Sequence, residues 1–355
     1  MRASFQTALL PTLVTLAIGA FGAAGASALG LPAPYLTGPA LAVTVFSISG
    51  GRTDMPAWLR DTCFVAIGVN MGAGVTPEAL HTASRWPLSL IVLALAVIVI
   101  LVLGARLMRR IFGFDRMSAL LTACPGHLSF VLSLSTDVKA DLPRVTMIQS
   151  LRVLSLTLIV PFLAPLLGHG DLPVPVARAG AMPMVALLPL LAGSAVLGLG
   201  LLRLKVPAAL LLGGLGLSAL AQGSGVVTGG LPVWMSVPAF VAMGTMIGTR
   251  FSGVTLRMFV QALGASLMLT GFAALISLLA AALVSNLLGL PILTALIAFA
   301  PGGLETMMAM SLLLNADPAY VAVHHVFRLL VLTAILPIAV ARTRAAIARS
   351  RQKAP

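Results

Sequence analysis

Arg152 and Arg328 each lie midway along an apolar run, and Glu305 lies two residues past the triplet Pro301-Gly302-Gly303. An ionisable side chain in such surroundings is costly and marks a candidate functional site. A guanidinium is a planar fork of donors that fits a carboxylate, a phosphate or a set of backbone carbonyls. The two arginines therefore have two readings. Either both point into a central cavity and hold an anionic group, or each binds carbonyls freed by a neighbouring break in a helix. Gln149 precedes Arg152 by three residues and His325 precedes Arg328 by three, which puts each pair on one helix face; His324 is four before Arg328. Adjacent histidines that titrate near neutral pH can relay protons, and they can equally be hydrogen-bonded packing. Glu305 can bind a cation, carry a coupling proton or cap the amides at the start of a half-helix.

Two apolar segments are interrupted, one by Pro125-Gly126-His127 and the other by Pro301-Gly302-Gly303. Proline removes a backbone donor and glycine adds freedom, so a helix should break at each. Ser129 is the counterpart of Glu305; it can cap a half-helix but carries no charge. The breaks and the polar residues around them form the candidate substrate site. Other chemistries find less support. The histidines are His81, His127, His169, His324 and His325, and no triad of ligands has a metal-binding spacing. No Ser-His-Asp pattern, P-loop or dinucleotide fingerprint stands out, so neither an enzyme nor a cofactor is expected. Cys63 and Cys124 fall in apolar runs and read as core residues rather than a disulfide. Gly68-x-x-x-Gly72 and Gly244-x-x-x-Gly248 read as sites of close helix packing, and Asn70 as a polar residue able to line a cavity.

The elements that must position these residues are membrane spans. Of 355 residues, 59% are apolar and only 9% are charged, with a mean hydropathy of +1.08. A soluble chain carries roughly 25% charged residues. Twelve apolar segments fit the sequence, at about 8–29, 33–50, 58–76, 87–108, 117–135, 145–168, 179–202, 206–222, 233–249, 259–287, 293–314 and 320–341. The net charge of +13 comes from basic residues in short loops and at the C-terminus, which fits contact with anionic headgroups rather than nucleic acid. The first run, with Ala26-Ser27-Ala28 near its end, has the look of a signal peptide. Ala8-Leu9-Leu10-Pro11 recurs as Ala186-Leu187-Leu188-Pro189, which assigns the run to a repeat instead.

That repeat is extensive. At an offset of 176, Pro56 and Trp58 meet Pro232 and Trp234, Pro125-Gly126 meets Pro301-Gly302, Ala140-Asp141 meets Ala316-Asp317, and Arg152 meets Arg328. Upstream, Pro32 and Gly38 match Pro207 and Gly213 at an offset of 175. The chain reads as a tandem duplication, residues 1–170 and 178–345, with six apolar segments in each half. If all twelve cross and the N-terminus is inside, the loop and tail Lys/Arg split 13 inside to 7 outside. If the broken fifth segment of each half turns back, the split becomes 18 to 2, with only Arg85 and Arg178 outside. The positive-inside rule favours the second assignment. Five crossings per half give the halves opposite polarity, the pattern of secondary transporters with inverted repeats and interrupted helices.

The sequence resembles the bacterial membrane proteins of the AbrB-duplication family over nearly its whole length. The resemblance rests on Leu31-Pro32-Ala33-Pro34-Tyr35-Leu36-Thr37-Gly38-Pro39, on Pro125-Gly126 with Gln149-Ser150-Leu151-Arg152, and on Ala300-Pro301-Gly302-Gly303-Leu304-Glu305 with His324-His325-Val326-Phe327-Arg328. It departs at His127, where the first copy usually has a second glycine, and at Ser129, often acidic there. The resemblance implies an all-α polytopic membrane protein, and the family is similar to ion antiporters and anion symporters built from inverted repeats. The expectation is a secondary transporter in the bacterial inner membrane with both termini cytoplasmic. It would carry a small, anionic organic solute coupled to protons or sodium, with the lipid bilayer as its surroundings and a homodimer as an allowed assembly. The alternative is a membrane sensor that alters gene expression through a partner.

Overall fold

The computed structural model describes residues 2–75, 86–126, 131, 140–166 and 180–352. Glu78, His81, His127, Ser129 and His169 lie outside the described residues. Among those described, the chain is helical: α1 Arg2–Ala28, α2 Pro34–Ile48, α3 Ala57–Gly72, α4 Trp86–Phe112, α5 Arg116–Ala123, α6 Leu142–Leu166, α7 Met184–Arg203, α8 Ala209–Gly223, α9 Val233–Thr249, α10 Leu256–Leu288, α11 Ile292–Phe299, α12 Leu304–Leu313 and α13 Pro318–Gln352. Six of them (α1, α4, α6, α7, α10 and α13) are long and apolar enough to cross a membrane. The protein is a polytopic α-helical membrane protein. The sequence signals that start these helices are mostly prolines. Pro56, Pro183, Pro232 and Pro291 stand at the N-cap positions of α3, α7, α9 and α11, and Pro34 and Pro318 open α2 and α13, where a missing amide costs nothing.

Several helix lengths bear on the expected crossings. The helices α2, α3, α8 and α9 have only 15, 16, 15 and 17 residues. At 1.5 Å per residue they fall short of a hydrocarbon core about 30 Å thick. In the other direction, α13 runs past the expected end at 341 through the basic tail to Gln352. Arginine is a good helix former, so the tail continues the helix where apolarity alone ends the span.

Residues Met1–Ser84, Thr157–Leu256 and Leu304–Ala322 form one compact unit. Within it α2 packs against α1 and α9, and α8 packs against α3 and α7. The expected close approach at the small residues is present. A Cβ at Gly68 would strike the carbonyl of Leu211 in α8, and one at Gly244 would strike that of Leu36 in α2. Small residues let backbones meet where lipid gives helices no hydrophobic reason to associate. Asn70, read as a candidate cavity residue, accepts a hydrogen bond from the Leu231 amide at 3.1 Å.

Residues Arg85–Leu156, Arg257–Gly303 and Val323–Pro355 form a second compact unit. Its core includes Met108, Phe114, Ala119, Ile148 and Leu269. Here the two ends of the first broken segment lie together. The Asp141 amide donates to Ser118 Oγ at 2.8 Å, and the Arg144 guanidinium stacks over the Phe114 ring at 4.4 Å. Residues 114–118 before the segment and 141–144 after it thus lie side by side. Asp115 fixes the entry: its carboxylate accepts from the Met117 and Ser118 amides, both at 2.9 Å. Burial works against the ionised form, but the bonds from Ser118 and Met117 outweigh it and hold the carboxyl below its ordinary range.

Two outcomes are expected. Single cysteines at Arg110 and Arg144, in a background where Cys63 and Cys124 are already buried, should react with an impermeant maleimide from the same side of the membrane. Asp115→Ala should lower stability by about 1 kcal/mol in thermal unfolding. Because the folded pKa is depressed, this contribution is present above the ordinary carboxylate pKa and is lost as pH falls through the lowered value.

Candidate functional site

Arg152 and Arg328 sit ten residues into α6 and α13, about 15 Å along each helix. They are only 3% and 2% exposed. Each reaches the break that its half contains. Arg152 donates through Nη1 to the Cys124 carbonyl at 3.0 Å and through Nη2 to Gln149 Oε1. Gln149 Nε2 in turn donates to the carbonyls of Leu121, Thr122 and Cys124 at 3.0, 3.2 and 3.0 Å. These are the carbonyls at the end of α5, which have no amide of a next turn to accept from. Arg328 donates to the Ala300 carbonyl, and to that of Gly302 at 3.0 Å. Its Nη2 also donates to His325 Nδ1 at 2.7 Å, which leaves His325 Nε2 to donate to the Ile297 carbonyl at 3.0 Å.

The two networks share a common core at the 176 offset. Leu121 and Cys124 match Ile297 and Ala300, and Gln149 and Arg152 match His325 and Arg328. Gln149 and His325 share two tasks, a donor to the equivalent carbonyls of Leu121 and Ile297 and an acceptor for the arginine, while Gln149 also reaches the Thr122 and Cys124 carbonyls and Arg328 also reaches that of Gly302. A neutral imidazole with its proton on Nε2 is the donor–acceptor equivalent of a glutamine amide. Both ring nitrogens of His325 are engaged, and a second proton there would displace the arginine. His324 points elsewhere, to Ser89 Oγ at 2.7 Å and to the rings of Trp86 and Phe299. The two histidines thus serve different neighbours.

The carbonyl-binding reading of the arginines is therefore realised, and it does not exhaust them. Arg152 Nε and Arg328 Nε are buried with no hydrogen-bond partner, as are Thr122 Oγ1 and Ser150 Oγ beside the first break. The two guanidinium groups lie within electrostatic reach of each other and of the Cys124 thiol. Among the described residues neither forms an ion pair with a carboxylate. Two buried cations with neutral partners among the described residues form a centre of positive charge.

Glu305 is the second residue of α12, just past the break, where a carboxylate meets the positive end of a half-helix. Arg250, the C-cap residue of α9 in the same unit, lies within its electrostatic reach. From the sequence, Arg250 reads only as a charge that sets topology. A signal of its pairing is nonetheless present: at the 176 offset the pair Arg250 and Glu305 is replaced by Gly74 and Ser129, so both charges are absent together from the first half. Pro125, Gly126, Pro301, Gly302 and Gly303 form the non-helical breaks, as their types require. A Cβ at Gly126 would press on Leu332 in α13.

The sequence profile of the family described as "Transition state regulatory protein AbrB" matches residues 35–344. The chain is 28% identical over 299 residues to "Uncharacterized protein YhjN" of Bacillus subtilis, covering 76% of this chain and 75% of that protein. It is 26% identical over 309 residues to "Putative regulator AbrB" of Escherichia coli, covering 86% and 88%.

Replacing Arg328 with lysine keeps the charge but cannot span the Ala300 and Gly302 carbonyls while holding His325. The variant should insert and fold with stability lower by about 2 kcal/mol, read by thermal unfolding, since each lost charged hydrogen bond leaves a buried carbonyl open. His325→Gln should lose far less, because glutamine supplies the same donor and acceptor. A His325→Gln protein as unstable as Arg328→Lys would overturn the equivalence of the two slots.

Proposed function

The chain belongs to the AbrB family of membrane proteins, and we propose that it works as a secondary transporter of a small anionic organic solute, coupled to protons or sodium. The observation that carries this reading is the pair of buried arginines, each next to a helix break and neither paired with a carboxylate among the described residues. Interrupted helices near the membrane midplane are where transporters hold solutes and ions, because backbone groups released there can coordinate them. The solute's carboxylate would take the guanidinium Nε donors that protein groups leave open. Glu305, with Arg250 as its partner, would carry the coupling cation or proton. On this reading the chain is a duplication of residues 1–170 and 178–345 with opposite polarity. Support comes from the matched arginine networks, from left-handed Ala33 and Ala208 at φ 50° and 50°, and from Gly113 and Gly289 at φ 65° and 66°. The basic ends of the spans, and with them both termini, would face the cytoplasm of a bacterial inner membrane.

A second reading, a sensor that changes gene expression through a partner, draws on the name of the Escherichia coli relative. Uptake separates the two. Protein reconstituted in liposomes should accumulate at least one small carboxylate when a proton or sodium gradient is imposed, and that solute should raise the melting temperature by mass action. Glu305→Gln should abolish the pH dependence of uptake while leaving the fold intact. No uptake under either gradient, with stabilisation by a solute retained, would favour the sensor. Unchanged pH dependence in Glu305→Gln would reduce Glu305 to a helix cap.

A further inference from the structure

Along α4 and α13 runs a groove of about 550 Å³ that neither the breaks nor Glu305 account for. At one end its lining is basic: Arg106 and Arg109 from the last turns of α4, Arg116 from the start of α5 and Arg342 from α13. Away from that end the walls are apolar, with Ile98 and Val102 on α4 and Ile335 and Ile338 on α13. Ile98, Val102 and Ile338 are exposed, and both helices are long enough to span a membrane, so these are positions that lipid would wet. The lining holds no acidic residue, and among the described residues none of the four arginines forms an ion pair. Asp115, the nearest acid in sequence, is committed to the amides of Met117 and Ser118.

The two ends of the groove ask for different things from one occupant. A soluble anion would satisfy the arginines and leave the apolar wall bare. A zwitterionic lipid would cover the wall and bring no net charge to four cations. We propose that the groove is a binding site for one anionic phospholipid, with its phosphate among Arg106, Arg109, Arg116 and Arg342 and an acyl chain along α4 and α13. Basic pockets at the ends of spanning helices recognise such headgroups, and the arginine stems lie naturally along apolar surface with their charges at headgroup level. The site lies wholly within one compact unit and does not depend on what the breaks bind.

The test uses the purified full chain in mild detergent, offered equal amounts of phosphatidylglycerol and phosphatidylcholine with the same acyl chains. Native mass spectrometry should find phosphatidylglycerol retained more than tenfold over phosphatidylcholine. Retention should fall about fivefold for each arginine replaced by glutamine, as in Arg106→Gln and Arg342→Gln, since each basic residue near the headgroup contributes about one such factor. Phosphatidylglycerol should raise the melting temperature of the wild type, and glycerol phosphate alone at the same concentration should not. Equal retention of the two lipids, or undiminished retention in the double glutamine variant, would overturn the proposal. Stabilisation by glycerol phosphate as large as by the lipid would also overturn it, because the site would then belong to a free anion. Should the glutamine variants fail to fold, the wild type still decides: a phosphatidylglycerol preference that does not weaken with added salt would sink the arginine assignment.

Discussion

Backbone carbonyls at an interrupted helix end are the constraint around which the second unit is arranged. In an apolar interior such a group has no water to turn to, and leaving it open costs more than an ordinary hydrogen bond returns. The chain meets this with side chains from a neighbouring helix. Gln149 and Arg152 reach the end of α5, while His325 and Arg328 reach the end of α11. Long polar side chains on an apolar helix are thereby tied to one depth and one rotation of that helix. The arginines anchor the breaks first, and only their remaining donors are available to a ligand.

That order of duties shapes what chemistry the site can support. A guanidinium whose Nη atoms are bound to carbonyls stays in place whether or not a solute is present, so the positive charge is organised in advance. The same anchoring occupies both ring nitrogens of His325, at the position that glutamine fills in the other network. Glu305 lies beside the second break, and Arg250, within its electrostatic reach, has Gly74 as its counterpart at the 176 offset, as Glu305 has Ser129.

The halves and the compact units cut the chain differently. Each unit draws helices from both ends of the sequence: α1–α3 with α7–α9 and α12 in one, and α4, α5 and the first part of α6 with most of α10, α11 and most of α13 in the other. The glycine contacts show why this is stable for the first unit. Gly68 in the first half meets Leu211 in the second, and Gly244 in the second meets Leu36 in the first. In that unit, helices distant in sequence complete one another's surfaces.

Much of this is legible in the amino-acid sequence. Composition and the lengths of apolar runs determine a polytopic membrane protein, because a chain with so few charges has no polar surface to show to water. Proline and glycine determine the breaks, because they remove or loosen the backbone bonds a helix needs. Spacing determines that Gln149 and His325 share a face with their arginines. The tertiary structure decides the rest. Whether Arg152 and Arg328 face carbonyls or solvent depends on what a neighbouring helix end presents, and Arg250 becomes the partner of Glu305 only because the end of α9 comes beside the start of α12. Local signals set a backbone through forces acting within a few residues. Charge pairing and carbonyl satisfaction act across distances in space that bear no relation to separation along the chain.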